Sequence, residues 1–158
     1  MQLENSHFLY PAALYVTRDP GYIHTILGSC VAVCLYDPVL AFGGMTHYML
    51  PLWNGEGLAS PKYGNIAIER LIQKMEAYGS NRQHLKAKVF GGGEVIEAKS
   101  AYFHIGKRNI KMAFELLEDY RIPVIASSTG GRSGRKIIFE TSTGKVRQRY
   151  VKRQEAPE

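Results

Sequence analysis

The stretch that decides the fold is HTILGSCVAVCLYDPVLAFGGMTHYMLP, which occupies residues 24–51. Its centre, residues 31–36, is rich in apolar and β-branched residues and predicts a strand. The Asp37-Pro38 dipeptide that follows is typical of a turn. Residues 41–48 then predict a returning strand, so the stretch forms a hairpin with the thiol of Cys30 near its open end.

The register of this hairpin determines which polar side chains meet. If the turn begins at Asp37, Tyr36 pairs with Ala41, and Cys30 then lies directly opposite His47. Residues directly opposed in an antiparallel pair share a face, with Cβ atoms about 5 Å apart. A bulge at the two glycines 43 and 44 would shift this pairing by one residue.

Strand and helix patterns alternate through the rest of the chain without repeats. The second helix has an apolar stripe of Ile110, Phe114 and Leu117, with Ala113 beside it. Two helices against about seven strands predict the α/β class: a sandwich of mixed and antiparallel sheets with two main helices packed outside, in α/β/β-type layers. The order is not a repeating βαβ pattern, which disfavours a doubly wound sheet. The remaining predicted strands are 14–16, 22–27, 86–90, 122–126, 136–140 and 145–151, and the predicted helices are 65–78 and 107–120.

The length of 158 residues suits one compact domain, 1–158, with a core at about 10–151 and mobile termini. No apolar run approaches the roughly 20 residues of a membrane helix, and the N-terminus lacks the features of a secretory signal. The two cysteines, Cys30 and Cys34, lie too far apart along a strand to form a disulfide. We therefore expect a cytoplasmic protein with free thiols and no membrane insertion.

The net charge of +6 belongs to one C-terminal element. Residues 132–153 contain eight basic side chains and one acid, Glu140, and so carry +7, while the rest of the chain carries −1. This concentration disfavours a uniformly basic nucleic-acid coat. A solvated edge hairpin whose Lys and Arg deter aggregation would give the same composition, and docking of an acidic protein is a further alternative.

A thiol beside an imidazole has a use in catalysis, because the imidazole lowers the thiol pKa and the thiolate is the nucleophile. Gly28 and Ser29 precede Cys30, and their backbone N–H groups could stabilise an oxyanion. Each residue alone also fits a structural role, Cys30 as a small buried apolar group and His47 as a satisfied core histidine. A zinc site is disfavoured, because strand spacing separates the two sulfurs and no fourth ligand is evident. Gly91-Gly92-Gly93 lacks the Gly-Lys-Ser/Thr of a P-loop and predicts a turn beside the site.

The sequence resembles the CheD family of chemoreceptor glutamine deamidases over roughly residues 10–150. The specific part of the resemblance is LGSCVAV at 27–33 followed by HYMLP at 47–51 at this spacing. Weaker matches are Asp37-Pro38, Gly43-Gly44, Lys62-Tyr63, Gly91-Gly92, Ile105-Gly106, Arg108-Asn109, Thr129-Gly130-Gly131 and Thr143-Gly144-Lys145.

This resemblance implies a cysteine hydrolase that converts receptor glutamines to glutamate and needs no cofactor or metal. Cys30 matches the family nucleophile and His47 its general acid and base. The family also has a threonine ahead of the cysteine that orients the histidine, and here Thr25 or His24 stands near that position. The partners implied are methyl-accepting chemotaxis receptors as substrate and a CheC-type phosphatase.

The basic C-terminal hairpin leaves a second function class open. A non-enzymatic domain could use it to bind nucleic acid or protein, with Tyr150 as a stacking aromatic. We expect no nucleic-acid binding, and we expect Arg147 and Arg149 instead to help dock acidic receptor surfaces.

Overall fold

The computed structural model describes residues 5–94 and 104–151 of the chain. This part contains nine strands and two helices. Residues 1–4 and 152–158, which belong to the termini predicted to be mobile and include Lys152 and Arg153, lie outside the described residues. The helices are α1 (Gly64–Ala77) and α2 (Ile105–Asp119), and a 3-10 turn spans Arg82–His84. The strands are β1 (Ser6–Phe8), β2 (Leu14–Thr17), β3 (Tyr22–Leu27), β4 (Val31–Asp37), β5 (Phe42–Thr46), β6 (Lys86–Gly91), β7 (Val124–Thr129), β8 (Gly134–Glu140) and β9 (Val146–Val151).

The strands form two mixed sheets that pack face to face. A four-stranded sheet has the order β1-β3-β8-β9, and a five-stranded sheet has the order β2-β5-β4-β6-β7. Both helices pack on the five-stranded sheet, so the layers are helices, five-stranded sheet and four-stranded sheet. The predicted α/β/β sandwich is confirmed.

Strand β4 is buried on both faces, because it is the central strand of the middle layer. Val31, Val33 and Leu35 pack into the cluster that α1 and α2 cover. Ala32 and Cys34 point the other way, into the cluster between the two sheets. This is why the run appears in the sequence as continuously apolar rather than alternating.

The hairpin register differs from the predicted one by two residues. Asp37 pairs with Phe42, and Tyr36 pairs with Gly43 rather than with Ala41. The cause is Asp37, whose Oδ1 accepts hydrogen bonds from the N–H groups of Val39 (2.8 Å) and Leu40 (3.0 Å). Asp37 thus ends the strand, and the turn occupies residues 38–41.

Two predicted elements are also corrected at their edges. The strand predicted at 122–126 begins at Val124, because the N–H of Ile122 donates to the carbonyl of Leu117 at 2.9 Å and belongs to the end of α2. On α2 the buried face is Asn109, Ala113 and Leu117, while Phe114 is 37% exposed. The predicted stripe is therefore wrong at Phe114, whereas Leu117 and Ala113 are buried and Ile110 packs against the core. Strand β1, which the sequence pattern does not predict, pairs in parallel with β3.

Candidate active site

Cys30 lies where the chain crosses from one sheet to the other. Residues 28–30 connect β3 of the four-stranded sheet to β4 of the five-stranded sheet. The thiol is partly exposed and packs at the rim of the cluster between the sheets. Both cysteines are free, as predicted, but Cys34 is fully buried within that cluster.

Three consecutive carbonyl oxygens around the thiol are each held by a donor from elsewhere in the fold. The pairs are Gly28 O with Gly93 N at 3.0 Å, Ser29 O with Asn109 Nδ2 at 3.0 Å and Cys30 O with Gly92 N at 2.9 Å. Among the described residues the N–H of Ser29 donates to no hydrogen bond, whereas the N–H of Cys30 acts on the thiol of its own residue. The segment is therefore fixed through its carbonyls, and the amide group of Ser29 is left available.

Glycines 91–93, where the sequence predicts a turn beside the site, lie against the thiol segment: Gly91 ends β6, and Gly92 and Gly93 form a loop directly after it. Gly91 has φ +107°, and a Cβ atom there would meet the carbonyl oxygen of Cys30 at 2.3 Å. A side chain at this position would therefore push the loop away from the segment that carries the thiol.

His47 follows β5 and faces the space between the sheets. Its neighbour Tyr48 forms an isolated bridge with Val31, which continues the hairpin register. Extending this register by one residue would set Cys30 opposite Met49 and make Cys30 and His47 diagonal neighbours on one face, for which strand geometry gives Cβ atoms about 7 Å apart. The predicted direct opposition was wrong, but a slip of two residues preserves the face.

Thr25 reaches His47 from the opposite sheet. Its side chain points inward from β3, is fully buried, and places Oγ1 2.7 Å from His47 Nδ1. His24 is its neighbour on the outer face of the sheet and makes an edge contact with Phe8. Of the two residues that the sequence left open, Thr25 is the one that contacts the imidazole.

The hydrogen bonds of Thr25 determine the tautomer of His47. The hydroxyl has one proton, and it donates that proton to the carbonyl oxygen of Leu9 at 2.7 Å, which can only accept. Nδ1 must then carry the ring proton and donate to Thr25 Oγ1. Nε2, which makes no hydrogen bond to a described residue, keeps its lone pair and can accept a proton.

Burial governs the ionisation of both groups. It lowers the pKa of His47 to about 4, against an opposing effect of the Leu9 carbonyl, so the ring is neutral at pH 7. Burial also raises the pKa of the Cys30 thiol, which the backbone N–H of the same residue offsets in part. The expectation that the imidazole lowers the thiol pKa is therefore wrong for the resting protein, because a neutral ring supplies no positive charge to stabilise a thiolate.

The structure does not bring Arg147 and Arg149 to this site. Both lie on β9, where Arg149 pairs with Lys136 and Arg147 with Ile138. Lys136 in turn pairs with Ile26 of β3, which points away from the buried, inward-facing Thr25. We call Lys136, Arg147 and Arg149 the basic face; it lies on the outer side of the four-stranded sheet.

Asn109 is a site residue to which the sequence analysis assigned no role. It is completely buried on α2, and its Nδ2 donates to the carbonyls of Ser29 and Met49, both at 3.0 Å. The sequence spacing could have indicated this, because residues four apart share one face of a helix and Asn109 precedes Ala113, beside the apolar stripe, by four.

Within residues 5–94 and 104–151, no three His, Cys, Asp or Glu side chains lie close enough together to hold a metal ion. The same part of the chain contains no helix long and apolar enough to cross a membrane. An α/β/β sandwich with a thiol, an imidazole and a hydroxyl at one end of its two sheets is the arrangement of a candidate cysteine hydrolase.

Comparison with known proteins identifies the family. The sequence model for "CheD chemotactic sensory transduction" matches residues 49–150. A protein from Trichlorobacter lovleyi named probable chemoreceptor glutamine deamidase CheD is 55% identical over 140 residues, covering 89% of this chain and 87% of that protein. Proteins of the same name from Sulfurimonas denitrificans and Rhodospirillum rubrum are 47% and 42% identical, covering 94% and 91% of this chain and 96% and 81% of their own lengths.

The chain belongs to the CheD family. The family model begins two residues after His47, but the Sulfurimonas alignment takes in 94% of this chain and so includes the stretch 24–51.

Proposed function

We propose that this protein is a chemoreceptor glutamine deamidase, a thiol hydrolase that converts glutamine side chains of methyl-accepting chemotaxis receptors to glutamate and releases ammonia. The relatives at 40–55% identity bear the name of that activity. The observation that carries the chemistry is the hydrogen bond between Thr25 and His47 Nδ1, because it leaves Nε2 as the proton acceptor on the same face as the thiol.

The first half of the reaction begins with two neutral groups. His47 Nε2 takes the proton of the Cys30 thiol as the sulfur attacks the carboxamide carbon of the substrate glutamine, and the carbonyl oxygen becomes an oxyanion. We propose that the N–H groups of Ser29 and Cys30, which flank the sulfur in the chain, stabilise that oxyanion. The carbon–nitrogen bond then breaks, and the proton on Nε2 passes to the departing nitrogen, which leaves as ammonia.

The second half reverses the proton movements with water. His47 Nε2 accepts a proton from a water molecule, whose oxygen attacks the thioester carbon. The carbon–sulfur bond breaks, the sulfur regains a proton from Nε2, and the glutamate side chain is released. Thr25 keeps Nδ1–H in place throughout, so the same ring nitrogen serves as base and acid.

The test is deamidation of a cytoplasmic receptor fragment, followed by mass spectrometry of its peptides and by ammonia release. We expect Cys30→Ala to abolish both signals and His47→Ala to lower the rate by about 10²- to 10⁴-fold. Cys34→Ala is the matched control, because the second thiol lies in the core away from solvent. Full activity in Cys30→Ala would exclude the mechanism.

We also propose that the basic face docks acidic receptor segments. On this face Arg149 and Lys136 lie directly opposite each other and repel. An anionic partner would reduce that repulsion. A non-enzymatic nucleic-acid function for the same hairpin predicts a salt-dependent gel shift with generic DNA or RNA; we expect none at low salt. The CheC-type phosphatase partner stays a prediction.

A further inference from the structure

Asn109 connects the two segments that carry the thiol and the imidazole. Its carboxamide nitrogen donates one hydrogen bond to the carbonyl of Ser29, the residue before Cys30. The other donor hydrogen reaches the carbonyl of Met49, two residues after His47. These carbonyls are 80 and 60 residues away along the chain, so the side chain acts across three separate parts of the sequence.

The orientation of this amide is fixed by its surroundings. Asn109 is completely buried, and its Oδ1 has no hydrogen-bond partner among the residues that the structure describes. Rotating the amide by half a turn would bring Oδ1 against two carbonyl oxygens, all three of which only accept. The nitrogen must therefore face the two catalytic segments.

A second link ties the same helix turn to the histidine segment. The hydroxyl of Tyr48 donates to the backbone carbonyl of Asn109. Tyr48 lies between His47 and Met49 and is itself fully buried. Helix α2 therefore holds this segment both from a side chain and from the main chain, and among the hydrogen bonds of the described residues it holds the thiol segment through Asn109.

We propose that Asn109 is a positioning residue that sets the distance between Cys30 and His47. Extension of the register makes the two diagonal rather than directly opposed, and in the part of the chain that the structure describes one isolated bridge, Val31–Tyr48, carries that register to their level. The β4–β5 ladder by itself does not fix the separation of the two segments at the end of the hairpin that carries Cys30 and His47. A buried donor that bonds to both sides closes it, and misplacement of reacting groups by about 1 Å costs about 10²-fold in rate.

The proposal rests on the deamidase function for one of its two readouts only. Asn109→Asp keeps the shape of the side chain and removes both N–H donors. Asn109→Leu also removes both donors, and it introduces no charge. For each variant we expect kcat for receptor deamidation to fall by about 10- to 100-fold, with KM for the receptor fragment within about twofold of wild type. The second readout is the rate of Cys30 alkylation by iodoacetamide near pH 7, which needs no receptor. We expect it to fall toward the rate of His47→Ala, in which the base is missing.

Thr141→Val is the matched control for a loss of stability. Thr141 is also fully buried, and its Oγ1 accepts from the N–H of Gly21 at 3.0 Å, at the end of β3 farthest from residues 28–30. This variant should lower Tm comparably while leaving kcat and alkylation at wild-type levels. Wild-type kcat and alkylation in both Asn109 variants would overturn the proposal. Loss of alkylation in a protein that deamidates no receptor would instead support the positioning role and reject the proposed substrate.

Discussion

Thr25→Val tests the hydrogen-bond chain from His47 through Thr25 to Leu9. Valine has nearly the same shape as threonine and fits the same buried site in β3, so the substitution removes the hydroxyl and little else. Both hydrogen bonds of that hydroxyl, each 2.7 Å long, are lost together.

The effect on stability follows from the groups left behind. His47 Nδ1–H and the Leu9 carbonyl lose their shared partner in a site without solvent, and a buried polar group without a partner costs about 1–3 kcal/mol. The carbonyl of Leu9 already acts on the His47 ring, so the two groups compensate each other in part. We therefore expect a loss of about 2 kcal/mol in the free energy of unfolding.

The effect on activity comes from the tautomer. Without Thr25 the ring proton is free to occupy Nε2, where it blocks acceptance of the thiol proton. Because the Leu9 carbonyl still favours Nδ1–H, we expect a loss of about 10²-fold in kcat, at the lower end of the general acid–base contribution. His47→Ala should lose more.

The assay is receptor-fragment deamidation in three variants with matched unfolding curves. Thr25→Ser keeps the hydroxyl and should recover most of kcat, while Thr141→Val should show a similar loss of stability with kcat unchanged. If Thr25→Val is destabilised like Thr141→Val but retains wild-type kcat, then Thr25 only supports the fold and the relay does not operate.

Two further predictions concern pH and docking. The unfolded chain binds a proton at His47 near pH 6.5, whereas the folded chain does so only near pH 4. Stability should therefore fall by up to about 3 kcal/mol as the pH drops through this window. Urea unfolding at pH 7 and pH 4.5 should show this loss in wild type and a smaller one in His47→Gln; equal losses would contradict it. Separately, Arg147→Glu with Arg149→Glu should raise KM for the receptor fragment and leave Cys30 alkylation unchanged, and an unaltered KM would remove the basic face from docking.

The sequence predicts the layers of this fold because burial leaves a clear pattern. Residues 31–35 are apolar throughout, as expected for a strand covered on both faces. The register of the same hairpin could not be predicted from that pattern, since it depends on Asp37 bonding back to two N–H groups of its own turn. Strand β1 has only three residues and no periodicity to detect.

The residue types that the proposed chemistry requires identify Cys30 and His47 as candidates from the sequence alone. The contact between Thr25 and His47 could not be predicted, because counting strand positions from Thr25 to Cys30 assumes one continuous strand. The chain instead leaves one sheet after Leu27 and joins the other at Val31. Likewise, the role of Asn109 depends on two carbonyls that no sequence spacing brings near it.

Thr25 and His47 come from different sheets, and this determines when the site can form during translation. All three side chains of the proposed reaction lie within the first 50 residues, but β3 is held in place by β8, residues 134–140, and α2 supplies Asn109. A nascent chain that has emerged from the ribosome only as far as the β4–β5 hairpin thus carries the thiol and the imidazole without Thr25 held against the ring and without Asn109. Hydrolytic competence arrives late in translation, when the polypeptide is nearly complete.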